Sequence, residues 1–174
     1  MFLHKWVFDL GTGKCVFDQP LSTVYCDFPM VSPRVTGRKM RYLYATRMGV
    51  CGKAASGARG VMKVDLETGV ETTHFFSDLG GSQVVNESTT QRPSPDDAGI
   101  GGECFFVPRH GQGASSAEDD GFLVTYTYHK HSQASCFYVI DASTMAPAPL
   151  AIVRLPQRVP FGFHSLWIDS EKLM

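Results

Sequence analysis

One short pattern occurs three times and limits the fold more than any other feature of the chain. Trp6-Val7-Phe8-Asp9-Leu10-Gly11-Thr12-Gly13 is matched by Met62-Lys63-Val64-Asp65-Leu66-Glu67-Thr68-Gly69. Tyr138-Val139-Ile140-Asp141-Ala142-Ser143-Thr144-Met145 keeps the aspartate and the threonine. Each copy is a run of β-forming residues that enters a turn at Asp, where the carboxylate can accept bonds from turn N–H groups. A chain then leaves each turn into another strand, so each copy reads as a hairpin. The intervals Asp9 to Asp65 and Asp65 to Asp141 are unequal. They exceed the roughly 40 to 50 residues of one propeller blade, which leaves room for insertions. Three hairpins of this kind in a β-rich chain suggest propeller blades, while the uneven spacing argues against a WD40 or kelch array.

The rest of the chain agrees. Strands are expected at Lys5–Leu10, Met40–Ala45, Val61–Leu66, Glu71–Phe76, Cys104–Val107, Phe122–His129, Cys136–Ile140 and Ala151–Leu155, each bounded by Gly, Pro, Asp or Ser. Arg41-Tyr42-Leu43-Tyr44 and Phe122 to Tyr128 carry bulky side chains on both faces, as a strand packed between sheets does. No long window keeps a 3.6-residue apolar period, so the fold class expected is all-β. Gly49 to Gly60 reads as a small-residue loop, residues 77–102 as a longer polar loop insertion, and Gly111 to Asp120 as an exposed turn. The opening residues read as mid-strand with no signal or transit segment, which suggests that sequence precedes Met1.

Composition excludes some functions. A formal net charge of −1 gives no global attraction to nucleic acid or to an anionic membrane. No apolar run approaches the roughly 18 residues of a membrane-spanning helix. The five cysteines, Cys15, Cys26, Cys51, Cys104 and Cys136, show neither CxxC nor zinc-type spacing and read as reduced structural thiols.

Chemistry concentrates near the C-terminus, in Leu155-Pro156-Gln157-Arg158-Val159-Pro160-Phe161-Gly162-Phe163-His164. Pro160 and Gly162 give the backbone an unusual path, and aromatic residues flank His164. A neutral imidazole there can bind a borderline metal such as iron, or can be a core histidine bonded to a carbonyl. His129 and His131 stand two apart on a strand, a spacing that suits a metal pair, but no further ligand lies near them, so both are expected to be exposed at a strand end. The basic run Arg34 to Arg41 is expected to be a solvated, partly salt-bridged surface.

Several segments resemble plant-type carotenoid cleavage dioxygenases, in the family's order. They are Asp27-Phe28-Pro29-Met30-Val31, Pro33-Arg34, Thr36-Gly37-Arg38-Lys39, Arg41-Tyr42-Leu43-Tyr44, Val64 to Gly69, Gly102-Glu103-Cys104-Phe105-Phe106-Val107-Pro108-Arg109, Glu118-Asp119-Asp120-Gly121, Ile140 to Met145, and the segment ending at His164. The resemblance implies the C-terminal blades of a seven-bladed β-propeller, incomplete within residues 1–174. It implies Fe(II) held by four histidines on the propeller axis, of which His164 matches the last, with carboxylates bonding the outer nitrogens of three rings. Glu103 matches one such glutamate. Asp27 stands where the family usually has another, one methylene shorter. Alternatively, Asp27 simply ends a strand and Glu103 is a surface acid.

The activity implied is cleavage of a conjugated double bond of a carotenoid or apocarotenoid by O2, giving two carbonyl products without a covalent nucleophile. Phe161, Phe163 and Trp167 are candidates to line the substrate tunnel or to pack the core. A plastid location and peripheral membrane contact of a full-length parent follow from the resemblance. With one matched histidine, this chain alone is expected to be inactive. The rivals are a non-catalytic propeller-type interaction domain and a truncated remnant.

Overall fold

The computed structural model describes residues 1–49, 57–76, 99–109, 111, 116–130, 132–170 and 173. Its described residues form eleven strands and one short 3₁₀ turn, Pro33–Val35. Strands β1 (His4–Asp9) and β2 (Lys14–Pro20) make a separate hairpin. The remaining strands form two antiparallel meanders. The first runs β3 (Cys26–Met30), β4 (Tyr42–Met48), β5 (Ala58–Asp65) and β6 (Glu71–Phe75). After β7 (Ile100–Gly101), the second runs β8 (Phe105–Pro108), β9 (Gly121–His129), β10 (Ala134–Asp141) and β11 (Ala151–Arg154). The two-residue β7 pairs with both β5 and β9 and so joins the meanders.

The repeated aspartates do what their position suggests. Asp9 Oδ1 accepts the amides of Gly11 and Thr12, Asp65 Oδ1 those of Glu67 and Thr68, and Asp141 Oδ1 those of Ser143 and Thr144. In each copy the residue four places on donates its N–H to the aspartate carbonyl. That residue has positive φ: 68° at Gly13, 74° at Gly69 and 50° at Met145. Glycine adopts this geometry without penalty, whereas Met145 bears a side chain there and buries it.

One core cluster lies between the meanders, with Tyr44, Val61, Phe76, Phe106, Leu123, Tyr138 and Ile140 among its members. A second, containing Leu3, Cys26, Ala45, Met62 and Val64, lies on the opposite side of the first meander. The adjacent residues Tyr44 and Ala45 belong to different clusters, so β4 is covered on both faces, as its bulky sequence suggests. On β9, by contrast, Tyr126 is exposed against the expectation, although its neighbours Thr125 and Thr127 are buried.

The Glu118-Asp119-Asp120 run joins three strands. Glu118 accepts the amides of Arg41 and Tyr42 at the start of β4, Asp119 pairs with Lys63 of β5, and Asp120 pairs with Arg109 beside β8. Lys63 Nζ also donates to the Ser143 carbonyl at 2.9 Å and lies 4.2 Å from the Tyr42 ring centre. The basic run is a solvated surface as expected: Arg41 pairs with Asp65 at 2.8 Å and Lys39 approaches Glu67 at 3.9 Å.

Several expectations need correction. β2 is the return strand of the first expected hairpin, β3 runs past Asp27 to Met30 instead of ending there, and β7 is a strand where none was expected, being only two residues long. The expected loop over residues 77–102 contains β7, since Ile100 and Gly101 pair across to Tyr128 and Thr127; residues 77–98 lie outside the described set. β5 begins at Ala58, so the last three residues of the expected Gly49 to Gly60 loop are strand. His129 is buried, not exposed, because β9 lies between β10 and β7; its ring stacks on Tyr138 and receives a hydroxyl contact from Thr127 at 3.0 Å. His131 and Cys51 lie outside the described residues. The other four cysteines are free thiols.

Candidate metal-binding edge

Between β7 and β8 the chain runs irregularly through Gly102-Glu103-Cys104. This stretch meets the C-terminal segment closely: a Cβ built on Gly102 would sit 2.7 Å from the Gly162 carbonyl oxygen. Glycine at residue 102 therefore lets the two backbones touch, which brings Glu103 beneath His164. Glu103 Oε2 accepts the Ser165 amide at 2.8 Å and lies 3.5 Å from His164 Nδ1. The Glu103 side chain is 18% exposed and the His164 side chain 70%. A carboxylate at Nδ1 favours the tautomer with its proton there, leaving the Nε2 lone pair for a ligand.

Phe28 and Phe163 wall the ring. Phe163 lies edge-on to His164 at 4.7 Å between centres, and Phe28 does so at 5.7 Å. Phe28 holds φ = 52°, an uncommon conformation for a bulky residue, at an irregularity in the β3–β4 pairing between Asp27 and Met30. Asp27 Oδ1 accepts the Phe28 amide at 2.8 Å and so helps hold that bend. The bend explains how a residue of β3 reaches a ring on the C-terminal segment.

The structure thus brings Glu103, His164 and Phe163 together. Asp27 supports them through Phe28, with its carboxylate on the backbone. Phe161 lies elsewhere, edge-on to Tyr128 at 5.7 Å and beside Arg158. Trp167 is turned to Asp169, to which its indole N–H donates at 2.9 Å. Phe28 was not picked out as a site residue from sequence, although its place between an acid and a proline is the signal of a bend. Cys104 borders the site but is fully buried; burial, then the charge of Glu103, pushes its thiol up to about 12. It therefore stays neutral near pH 7 and offers no thiolate.

The donor set suits one position of a metal site. Among the described residues no group of three His, Cys, Asp or Glu side chains is placed to hold an ion. His164, with the Glu103 carboxylate 3.5 Å from its Nδ1, could hold one position of a metal through Nε2.

The chain is thus all-β among its described residues, with one exposed histidine beside a carboxylate. The family model described as retinal pigment epithelial membrane protein, RPE65, matches residues 1–169. Carotenoid 9,10(9',10')-cleavage dioxygenase 1 of Arabidopsis thaliana is 34% identical over 172 residues, covering 98% of this chain and 29% of that protein. A probable carotenoid cleavage dioxygenase 4, chloroplastic, of the same plant is 33% identical over 171 residues, covering 98% and 26%. The crystal structure of a cobalt-substituted Synechocystis apocarotenoid oxygenase matches with a TM-score of 0.75 and 26% identity, over 97% of this chain and 30% of that one. The chain belongs to the RPE65/carotenoid oxygenase family. It spans somewhat under a third of the length of the relatives it matches.

Proposed function

We propose that this chain supplies the last histidine ligand and its supporting carboxylate to an Fe(II)-dependent oxygenase that cleaves a conjugated double bond of a carotenoid or apocarotenoid. The observation that carries this reading is the Glu103–His164 contact, between the two residues that the sequence resemblance matches to a ligand and its acid. When bound, Fe(II) supplies the chemistry that joins O2 to the substrate's double bond. The chain's own residues have simpler tasks. Glu103 fixes the imidazole tautomer and raises its basicity, while Phe28 and Phe163 pack edge-on against the ring. The same phenyl rings offer an apolar wall suited to a polyene.

The two meanders read as blades of a larger propeller. The exposed apolar residues Trp6, Phe8 and Val16 on the β1–β2 hairpin, and the exposed β11, are surfaces that further blades would cover. The chain alone is therefore inactive. The names of chloroplastic relatives support a plastid setting, and a carotenoid's residence in lipid supports peripheral membrane contact by a complete protein.

The test compares this chain with a version extended on its N-terminal side to the length of its relatives. Each is incubated with carotenoids and O2, and products are separated by chromatography. Aldehyde or ketone products should come from the extended protein and vanish in its His164→Ala variant. Cleavage by the 174-residue chain alone would sink the reading that other ligands are required.

A further inference from the structure

Glu103 must aim its carboxylate at two groups, yet it stands where no sheet ladder fixes the backbone. Two buried threonines take the ladder's place. Thr46 of β4 donates its hydroxyl to the Gly102 carbonyl at 3.1 Å, on one side of Glu103. Thr125 of β9 donates to the carbonyl of Glu103 itself at 2.9 Å, on the other. The two hydroxyls come from different meanders and act on consecutive peptide groups. A weak amide bond from Gly102 to the Tyr126 carbonyl, at 3.3 Å, completes the attachment.

We infer that Thr46 and Thr125 are positioning residues, a two-sided clamp that sets the Glu103 backbone so that its carboxylate reaches both the His164 ring and the Ser165 amide. A carbonyl bonded to a buried hydroxyl cannot swing without breaking that bond, and buried hydroxyls have no water to replace it. With both carbonyls held, rotation of the peptides flanking Glu103 is blocked and only its side-chain torsions stay free. Valine keeps the β-branched shape of threonine and removes only the hydroxyl, which makes the claim testable. The inference rests on reading Glu103 and His164 as a metal-site pair, but its test needs no metal.

The readout is amide hydrogen exchange in the 174-residue chain, residue by residue by NMR. Glu103→Gln weakens the bond to the Ser165 amide and calibrates the signal. Thr46→Val and Thr125→Val should each speed Ser165 exchange by roughly tenfold while the amides of Cys136 and Tyr138 in β10 keep wild-type rates. Thr46→Ser and Thr125→Ser, which retain the hydroxyl, should restore Ser165 to near wild type. Wild-type Ser165 exchange in both valine variants, with faster exchange in Glu103→Gln, would overturn the clamp and leave the Glu103–His164 pair intact. Equal acceleration in the valine and serine variants, or faster exchange throughout β10, would show a packing effect and also overturn it. Failure of the metal-site reading would appear separately, as a longer protein that binds no iron while the exchange pattern holds.

Discussion

Replacing Asp119 with alanine leaves the Lys63 ammonium inside the protein without a carboxylate. The pair meets at 2.6 Å, with the Lys63 side chain 10% exposed and that of Asp119 14% exposed. The Ser143 carbonyl and the Tyr42 ring remain as partners, and neither carries a negative charge. Breaking a buried pair in this way costs about 3–5 kcal/mol. The next residue gives an internal comparison. Asp120 meets Arg109 at 2.8 Å, but these side chains are 35% and 45% exposed, and Arg109 keeps a second partner in Asp141. Such an exposed pair contributes about 0–1 kcal/mol. Urea unfolding followed by far-ultraviolet circular dichroism should therefore separate Asp119→Ala from Asp120→Ala by at least ~2 kcal/mol. Added salt should shrink only the Asp120 effect, because buried charges are little screened. The double variant Lys63→Met/Asp119→Leu should recover most of the Asp119→Ala loss, since an apolar pair of similar volume leaves no charge stranded. Equal losses for the two alanine variants would refute the claim that burial, and not charge number, sets the value of each carboxylate.

Met145 gives a second test: Met145→Gly and Met145→Ala both lose its buried side chain, but only glycine relieves the positive φ, so the glycine variant should be the more stable by about 1 kcal/mol. Gly102→Ala should displace the C-terminal segment, because the new methyl would meet the Gly162 carbonyl oxygen at 2.7 Å; loss of the nuclear Overhauser contacts between Phe28 and Phe163 would register it. Burial pushes His74 below its ordinary value of 6.5 although its Nδ1 bonds the Ala146 carbonyl. The unfolded chain thus takes up the proton first, so stability should fall as pH drops below 6.5, and His74→Gln should flatten that slope between pH 7.5 and 5.

The sequence carried the hairpins well because each depends on local chemistry: an aspartate, a threonine and a residue able to take positive φ lie within five positions. Both-face burial of β4 was likewise legible, since Tyr42, Leu43 and Tyr44 leave no polar face. The burial of His129 was not, because it depends on β7 and β10 flanking β9, and β7 is two residues long with no periodicity to reveal it. At the site, His164 and Glu103 stood out through the family's motifs. Thr46, Thr125 and Phe28 did not, because each acts through a contact far away in sequence or through a backbone bend. Trp167 and Phe161 looked equivalent to Phe163 as aromatic neighbours of His164. Only the path of the chain around Gly162 separates Phe163, which touches the ring, from the other two.

The most direct test of the central claim is iron content per chain, measured by elemental analysis after anaerobic loading with Fe(II). It is made on the 174-residue chain, on the protein extended to the length of its relatives, and on His164→Ala and Glu103→Gln variants of the latter. Close to one iron is expected in the extended protein, none in the short chain, loss in His164→Ala and an affinity lowered by roughly 10- to 100-fold in Glu103→Gln. Full iron occupancy in the His164→Ala variant would contradict the assignment of that imidazole as a ligand.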